Sequence, residues 1–437
     1  MTTRNETVEL HETYLSKHKL PLFRQFGWDV VEGKREGVFF WDLNGKRYFD
    51  CHVCGGVYNL GHRNPKVVKA VRDALDHLDL GNHHLMSSER SRLAKKLVES
   101  ARQTSSGERM GRVVFSSGGG EAMDFAFKMA KGYTGKSTIL CLEGGYHGHT
   151  GLSMGAGDEK YTDAWNYKPE GFVKVSLEDL DRIETFFDEH TAAVSLETIP
   201  ATLGMNVIPK KTMQHIRKVT REHGIVLILD EIQTGCGRSG RTWAFQHYDI
   251  MPDIFATGKG FSGGIYPIAA TVYRDEMERV YEQNPMIHFS SFGGSEIGCA
   301  AAEIVIDHAT DADFLAHVNA LSGFFRNAVD HLAERSNKVA GLRQIGMFQA
   351  IEFVDVATCI SAVARLNENG VFCVFSNNDR VCAQFMPPLI MTIEEAEELM
   401  ALVEKSIGEA EALDLASSEY FSTQTEARIR NVNRRLD

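Results

Sequence analysis

Between about residue 110 and residue 275 the chain alternates short apolar runs with stretches of helical periodicity, the pattern of a parallel sheet wrapped by helices. The runs are Arg112–Ser116, Thr138–Glu143, Ala192–Glu197, Ile225–Asp230 and Asp253–Thr257, each followed by glycine or polar residues. Such short runs, rich in Val, Ile and Leu, are what strands buried on both faces require. The loops after strands of this kind usually carry the chemistry.

Upstream, Val38–Trp41 and Arg47–Phe49 flank the turn Asp42-Leu43-Asn44-Gly45, a hairpin signal in an N-terminal segment of short strands. Beyond about residue 315 helical periodicity returns. Strands are predicted at Met347–Phe353 and near Gly370–Phe375, followed by a helix from Thr392 that carries Glu394, Glu395, Glu397 and Glu398. This division implies an α/β body over 71–315 and a smaller α+β domain over 316–437, to which the segment 1–70 contributes. The stretch from about Ser417 is polar and charged, a surface helix or a loose tail.

Composition narrows the class. The 437 residues exceed what one small core organises. With 43% hydrophobic and 24% charged residues, the chain reads as a folded, water-soluble protein. A formal charge of -12 without a basic stretch speaks against nucleic acid as a partner. The first twenty residues are polar throughout and no apolar run reaches membrane-spanning length, so the expectation is a cytoplasmic protein with no membrane partner. The eight cysteines fall mostly in apolar segments such as Ile139-Leu140-Cys141-Leu142, as reduced core thiols do. Cys51-His52-Val53-Cys54 looks like half a zinc site, but no second ligand pair follows at suitable spacing. A packed strand is expected there, and no metal.

Four features carry chemistry. The run Ile225–Leu229 ends in Asp230-Glu231, an acid at the carboxyl end of a buried strand. A carboxylate there needs a cation or strong donors, and a protonated pyridine nitrogen would satisfy it. One strand later Thr257-Gly258-Lys259-Gly260 sets a lysine between glycines, suited to an amine attacking a carbonyl. The strand Arg112–Ser116 leads through Ser117-Gly118-Gly119-Gly120 into a helix beginning near Glu121, a geometry that binds phosphate by backbone N–H groups. Finally, Glu143-Gly144-Gly145-Tyr146-His147-Gly148-His149 supplies an aromatic ring suited to stacking on a planar heterocycle.

In this order the pieces resemble the class III (ω-type) aminotransferases of pyridoxal 5′-phosphate (PLP) fold type I, from about Trp41 to Thr392. The strongest words are Leu229-Asp230-Glu231-Ile232-Gln233-Thr234-Gly235 with Gly237-Arg238-Ser239-Gly240, then Thr257-Gly258-Lys259-Gly260 and Ser291-Phe292-Gly293-Gly294. The resemblance implies a large domain with a mostly parallel seven-stranded sheet flanked by helices, a small α+β domain, and a homodimer with shared active sites. It makes Lys259 the Schiff-base lysine and the group that moves the substrate's α-proton. Asp230 pairs with the pyridinium nitrogen, Tyr146 stacks on the ring, and Gln233 bonds near the ring hydroxyl, with His147 beside them. Gly118, Gly119 and Gly120 form the phosphate turn, and Ser291 reaches the phosphate from the partner subunit.

The chain also departs from that pattern. Three glycines replace the usual Ser-Gly-Thr/Ala of the phosphate turn, which removes a side-chain hydroxyl and leaves the backbone donors. Members that use glutamate carry Arg-x-x-Pro-Pro and Glu-Pro-x-x-Gly-Glu-Gly-Gly, in which the arginine grips a carboxylate and the second glutamate neutralises it. Here Gln384 stands in the arginine's place and Thr202 in that glutamate's. Losing both together avoids an unpaired buried charge. His149 replaces an arginine of some members, Ser295-Glu296 replaces Asn-Pro, and Gly81-Asn82-His83-His84 occupies a substrate-side loop. Those histidines read as ordinary loop residues or as ligand contacts, and His84 joins Gln384 and Thr202 as a candidate substrate residue. The expectation is an aminotransferase for an amine or amino acid without the Arg/Glu switch. The alternative is another reaction of the same cofactor: elimination or replacement, carbon–carbon bond formation, racemisation or decarboxylation.

Overall fold

The computed structural model describes residues 2–101, 107–167 and 169–410; the polar stretch from Ser417 lies outside them. Near the N-terminus, β1 (Glu32–Glu36), β2 (Phe39–Asp42) and β3 (Arg47–Asp50) form an antiparallel meander around the expected turn. Asp42 organises that turn by accepting the N–H groups of Asn44 and Lys46 at 2.8 and 2.9 Å.

The central sheet comprises β4 (Arg112–Ser116), β5 (Thr138–Leu142), β6 (Phe172–Val175), β7 (Thr191–Glu197), β8 (Val226–Asp230), β9 (Ile254–Thr257) and β10 (Ala269–Tyr273). Its order is β4-β10-β9-β8-β7-β5-β6, and β10 alone runs antiparallel to its neighbours. Successive side chains of a strand face opposite ways. On β8, Leu227 and Leu229 pack with Met213 and Ile216 on one side, while Val226 and Ile228 pack with Ala122 and Phe125 on the other. The order of strands brings the carboxyl ends of β7, β8 and β9 together, in register at Glu197, Asp230 and Ala256.

The C-terminal part contributes β11 (Val339–Ile345), β12 (Phe348–Phe353), β13 (Val371–Phe372), β14 (Val374–Phe375) and β15 (Cys382–Gln384). The apolar run expected as one strand at Gly370–Phe375 is two short strands in different sheets. β13 pairs in parallel with β3, whereas β14 joins β11, β12 and β15. Residues 47–50 and 371–372 thus share a sheet although far apart in sequence. The helix Ile393–Glu409 begins as expected, with Thr392 and Glu395 capping one another's backbone N–H groups.

Two local expectations need correction. The helix of the glycine turn spans Gly119–Thr134 and begins two residues before Glu121. Glu121 folds back to accept Ser117 N–H and Oγ–H at 2.8 and 2.6 Å, which closes the turn without a side chain at the cap residue Gly118. Cys51–Cys54 is not a strand. β3 stops at Asp50, and Val53 and Cys54 take left-handed backbone angles (φ 47° and 51°) in a tight turn. The Asp50 carboxylate accepts the His52 and Val53 N–H groups at 3.1 and 2.6 Å and overrides the strand preference of those residues. All eight cysteines are free thiols. Among the described residues no group of three or more His, Cys, Asp or Glu is placed to hold a metal ion, and no helix is long and apolar enough to cross a membrane.

Candidate active site

A cleft opens at the carboxyl ends of β7, β8 and β9. Asp230 forms its floor. One carboxylate oxygen accepts the Ile232 N–H at 2.9 Å, and the other lies 2.8 Å from Nδ1 of the fully buried His147. The second imidazole nitrogen of His147 has no partner among the described residues. Beside Asp230 on the neighbouring strand stands Glu197, which accepts the N–H groups of Tyr146 at 2.9 Å and Ala201 at 3.2 Å. Burial pushes the Glu197 carboxyl up to about 7; His147 opposes the rise and the Asp230 charge adds to it.

Lys259 follows β9 with φ 45°, a left-handed conformation that costs a non-glycine residue on the order of 1 kcal/mol. Its amine donates to Gln233 Oε1 at 3.0 Å. Burial holds the ammonium below its ordinary value, against the pull of the Asp230 and Glu197 carboxylates. Lowering the pKa of an amine enlarges its neutral, nucleophilic fraction.

The opposite wall is the start of the helix Gly119–Thr134, where the first N–H groups of a helix lack intrahelical partners. Glycines let the backbone segments approach closely in this corner. A Cβ on Gly119 would come within 2.9 Å of Ile232, one on Gly120 within 2.8 Å of Thr150 Oγ1, and one on Gly148 within 2.7 Å of the Gly120 Cα. The close approach leaves a cradle of backbone donors shaped for an anion. Behind the floor, buried Glu231 accepts Thr198 and Thr234 hydroxyls at 2.8 Å and the Ala244 and Phe245 N–H groups at 2.9 Å, tying the loop after β8 in place.

The cleft therefore gathers Lys259, Asp230, Gln233, Tyr146, His147, Gly119 and Gly120 from the expected set, with Gly118 capping the adjoining helix. It also exposes residues that the sequence reading missed: Glu197, Ile199, Ile232, Thr234 and Gly148. The signal for Glu197 was present, an acid at the end of a buried strand like Asp230. Four expected residues stand elsewhere. Thr202 Oγ1 donates to the Gly144 carbonyl at 3.1 Å, and Gln384 is buried in β15 opposite Ala350 and Val374. Ser291 is exposed, and the exposed His84 stacks on Phe289 with ring centres 5.4 Å apart.

The residues present fit PLP. A phosphate suits the N–H cradle, a ring nitrogen that carries a proton suits the buried Asp230 carboxylate, and an aldehyde suits the partly neutral amine of Lys259. Comparison with known proteins points to the same cofactor. The family model for aminotransferase class III matches residues 27–407. An uncharacterized aminotransferase of Archaeoglobus fulgidus is 42% identical over 412 residues, which cover 94% of this chain and 95% of that one. The crystal structure of a taurine:2-oxoglutarate aminotransferase from Bifidobacterium kashiwanohense, in complex with PLP and glutamate, superposes with a TM-score of 0.83. Identity is 26%, over 93% of this chain and 98% of that one. An acetylornithine aminotransferase from Elizabethkingia anophelis gives a TM-score of 0.79 at 25% identity, over 94% and 100% of the two chains. With its cleft at the strand ends and a family match along most of its length, the chain belongs to the class III aminotransferases, PLP-dependent enzymes of fold type I.

Proposed function

We propose that this aminotransferase takes its amino group from an amine or amino acid that it recognises without the arginine and glutamate of the glutamate-using members. One observation carries this reading: among the described residues no arginine lines the cleft, whose carboxyl and amine side chains in one chain are Asp230, Glu197 and Lys259. The nearby arginines are engaged elsewhere. Arg343 pairs with Glu352 and Asp379 at 2.5 and 2.6 Å, and Arg238 is fully buried on Asn59 and two carbonyls. Gln384 and Thr202 fill the two positions of the switch with neutral groups.

When bound, PLP supplies an electron sink for the substrate's α-carbon. The protein's residues do the rest. Lys259 would hold the cofactor through its amine and would carry the proton at the substrate's α-carbon. Asp230, held by Ile232 N–H and His147, would keep a proton on the ring nitrogen. Tyr146 and Gln233 would contact the ring, and Gly118, Gly119 and Gly120 would hold the phosphate. A homodimer in the cytoplasm completes the proposal, with Ser291 reaching the partner's phosphate. In support, Leu85, Met86, Met286, Ile287, Phe289 and Phe292 are exposed apolar residues on the two segments that carry His84 and Ser291. Patches of this kind mark interaction surfaces. We also propose the division at 71–315 and 316–437, supported by separate apolar clusters on the central sheet and around β11 and β12.

The test mixes PLP-loaded protein with glutamate or with single amines and follows the cofactor absorbance for conversion to pyridoxamine phosphate. Amines should convert the enzyme while glutamate does so at least about tenfold more slowly, the worth of one lost ion pair. Conversion by glutamate as fast as by the best amine would overturn the reading.

A further inference from the structure

The motif Gly237-Arg238-Ser239-Gly240 has no part in the chemistry described so far, yet Arg238 is among the largest fully buried side chains of the molecule. Among the described residues its guanidinium makes no direct bond to a carboxylate, and Asp50 acts on it only through longer-range attraction. Nε and Nη2 donate to Asn59 Oδ1 at 3.0 and 2.7 Å, and Nη1 donates to the carbonyls of Met347 at 3.1 Å and Pro387 at 2.7 Å. A buried cation held only by neutral acceptors is costly, so its retention calls for an account. Glycines close around its turn, Gly240 in the motif and Gly346 across space. A side chain on Gly240 would collide with Asn319, and one on Gly346 with the Ser239 carbonyl carbon.

The contacts of Arg238 lead to the cleft from two directions. Asn59 packs on the turn of the lysine, since a Cβ on Gly260 would lie 2.6 Å from Asn59 Nδ2. Pro387 follows Met386, whose N–H donates to the Cys51 carbonyl at 2.6 Å and whose sulfur lies 3.7 Å from Gln233 Nε2. Gln233 in turn accepts the Lys259 amine through Oε1. The contacts close a ring: Lys259, Gln233, Met386, Pro387, Arg238, Asn59, Gly260 and Lys259 again.

We infer that Arg238, with Asn59 as its acceptor, is a positioning residue that fixes the strained Lys259 turn and the Met386 segment behind Gln233 relative to one another. The strain supports this reading, because a left-handed lysine persists only where its surroundings over-determine it. A planar fork of donors can satisfy three acceptors in one plane, which a lysine cannot. The inference rests on Lys259 as the point of cofactor attachment, which borohydride trapping in the unaltered protein checks separately.

The experiment measures how fast cofactor-free full-length protein captures PLP, by absorbance and by borohydride-trapped adduct, for Arg238→Lys, Asn59→Ala and Asn59→Asp. No substrate is needed, so failure of the amine reading does not affect it. Arg238→Lys and Asn59→Ala should slow capture about tenfold or more at an unchanged circular-dichroism spectrum, a loss in keeping with misplacement on the order of 1 Å. Asn59→Asp, which keeps an oxygen for both N–H groups, should restore capture to within about threefold. A purely structural role would lower the thermal midpoint and leave the capture rate alone. Wild-type capture by folded Arg238→Lys or Asn59→Ala overturns the inference, as does Asn59→Asp performing no better than Asn59→Ala. If Arg238→Lys fails to fold, the two Asn59 variants decide alone. Should Asn59→Ala also fail to fold, the ring belongs to stability and the inference falls.

Discussion

Replacing Glu197 by Gln should change stability in a way that depends on pH, and the structure sets both sign and size. The carboxyl is buried beside Asp230, and its pKa rises from an ordinary 4.5 to about 7. The folded protein therefore favours the neutral acid. That contribution is fully present below about pH 4.5 and is lost as pH rises through about 7. At about 1.4 kcal/mol per pH unit the loss amounts to about 3.5 kcal/mol. Glutamine is neutral throughout and close in shape, but its amide nitrogen accepts no hydrogen bond, so one of the Tyr146 and Ala201 N–H groups loses its partner at a cost of about 1 kcal/mol. Near pH 5 the two cofactor-free proteins should agree within about 1 kcal/mol. Near pH 8.5 the variant should be the more stable by about 2 to 3 kcal/mol. Urea unfolding followed by tryptophan fluorescence at several pH values reads the difference. A difference that stays constant with pH, or a wild type that gains at high pH, would show that Glu197 is not held as a neutral acid.

Gly148→Ala should weaken PLP binding about tenfold or more, because the new methyl meets the Gly120 Cα at 2.7 Å on a backbone with φ 120° and pries open the anion cradle. Titration of cofactor-free protein by absorbance measures it, and unchanged affinity would contradict the cradle. Trp243→Ala should cost about 3–5 kcal/mol, since the ring is fully buried against Phe255 and its N–H donates to Ser100 Oγ at 3.0 Å. A shift in unfolding free energy below about 1 kcal/mol would refute that packing role.

Much of the architecture was legible because buried parallel strands leave unbroken apolar runs; four of the five runs named from the sequence are inner strands of the central sheet, and the fifth, Arg112–Ser116, is an edge strand whose Val113, Val114 and Phe115 keep the apolar mark. The two strands not foreseen lack that mark. β6 lies at the edge with exposed Val173 and a lysine in its middle, and β10 reads Ala269-Ala270-Thr271-Val272-Tyr273, too small in its first residues to stand out. Within the cleft, Asp230 and Lys259 could be read from strand-end positions and flanking glycines. Glu197 shares the strand-end position, but what makes it part of the site is its register opposite Asp230 and its burial, both products of chain crossing. Nor does local sequence reveal the turn at Val53 and Cys54, where one carboxylate outweighs the preference of valine for a strand.

The central claim is that Lys259 carries the cofactor. Protein loaded with PLP, reduced with borohydride, digested and analysed by mass spectrometry should show the pyridoxyl label on the peptide containing Lys259, and Lys259→Ala should show none. A label on any other lysine, or one that survives in Lys259→Ala, would contradict the account.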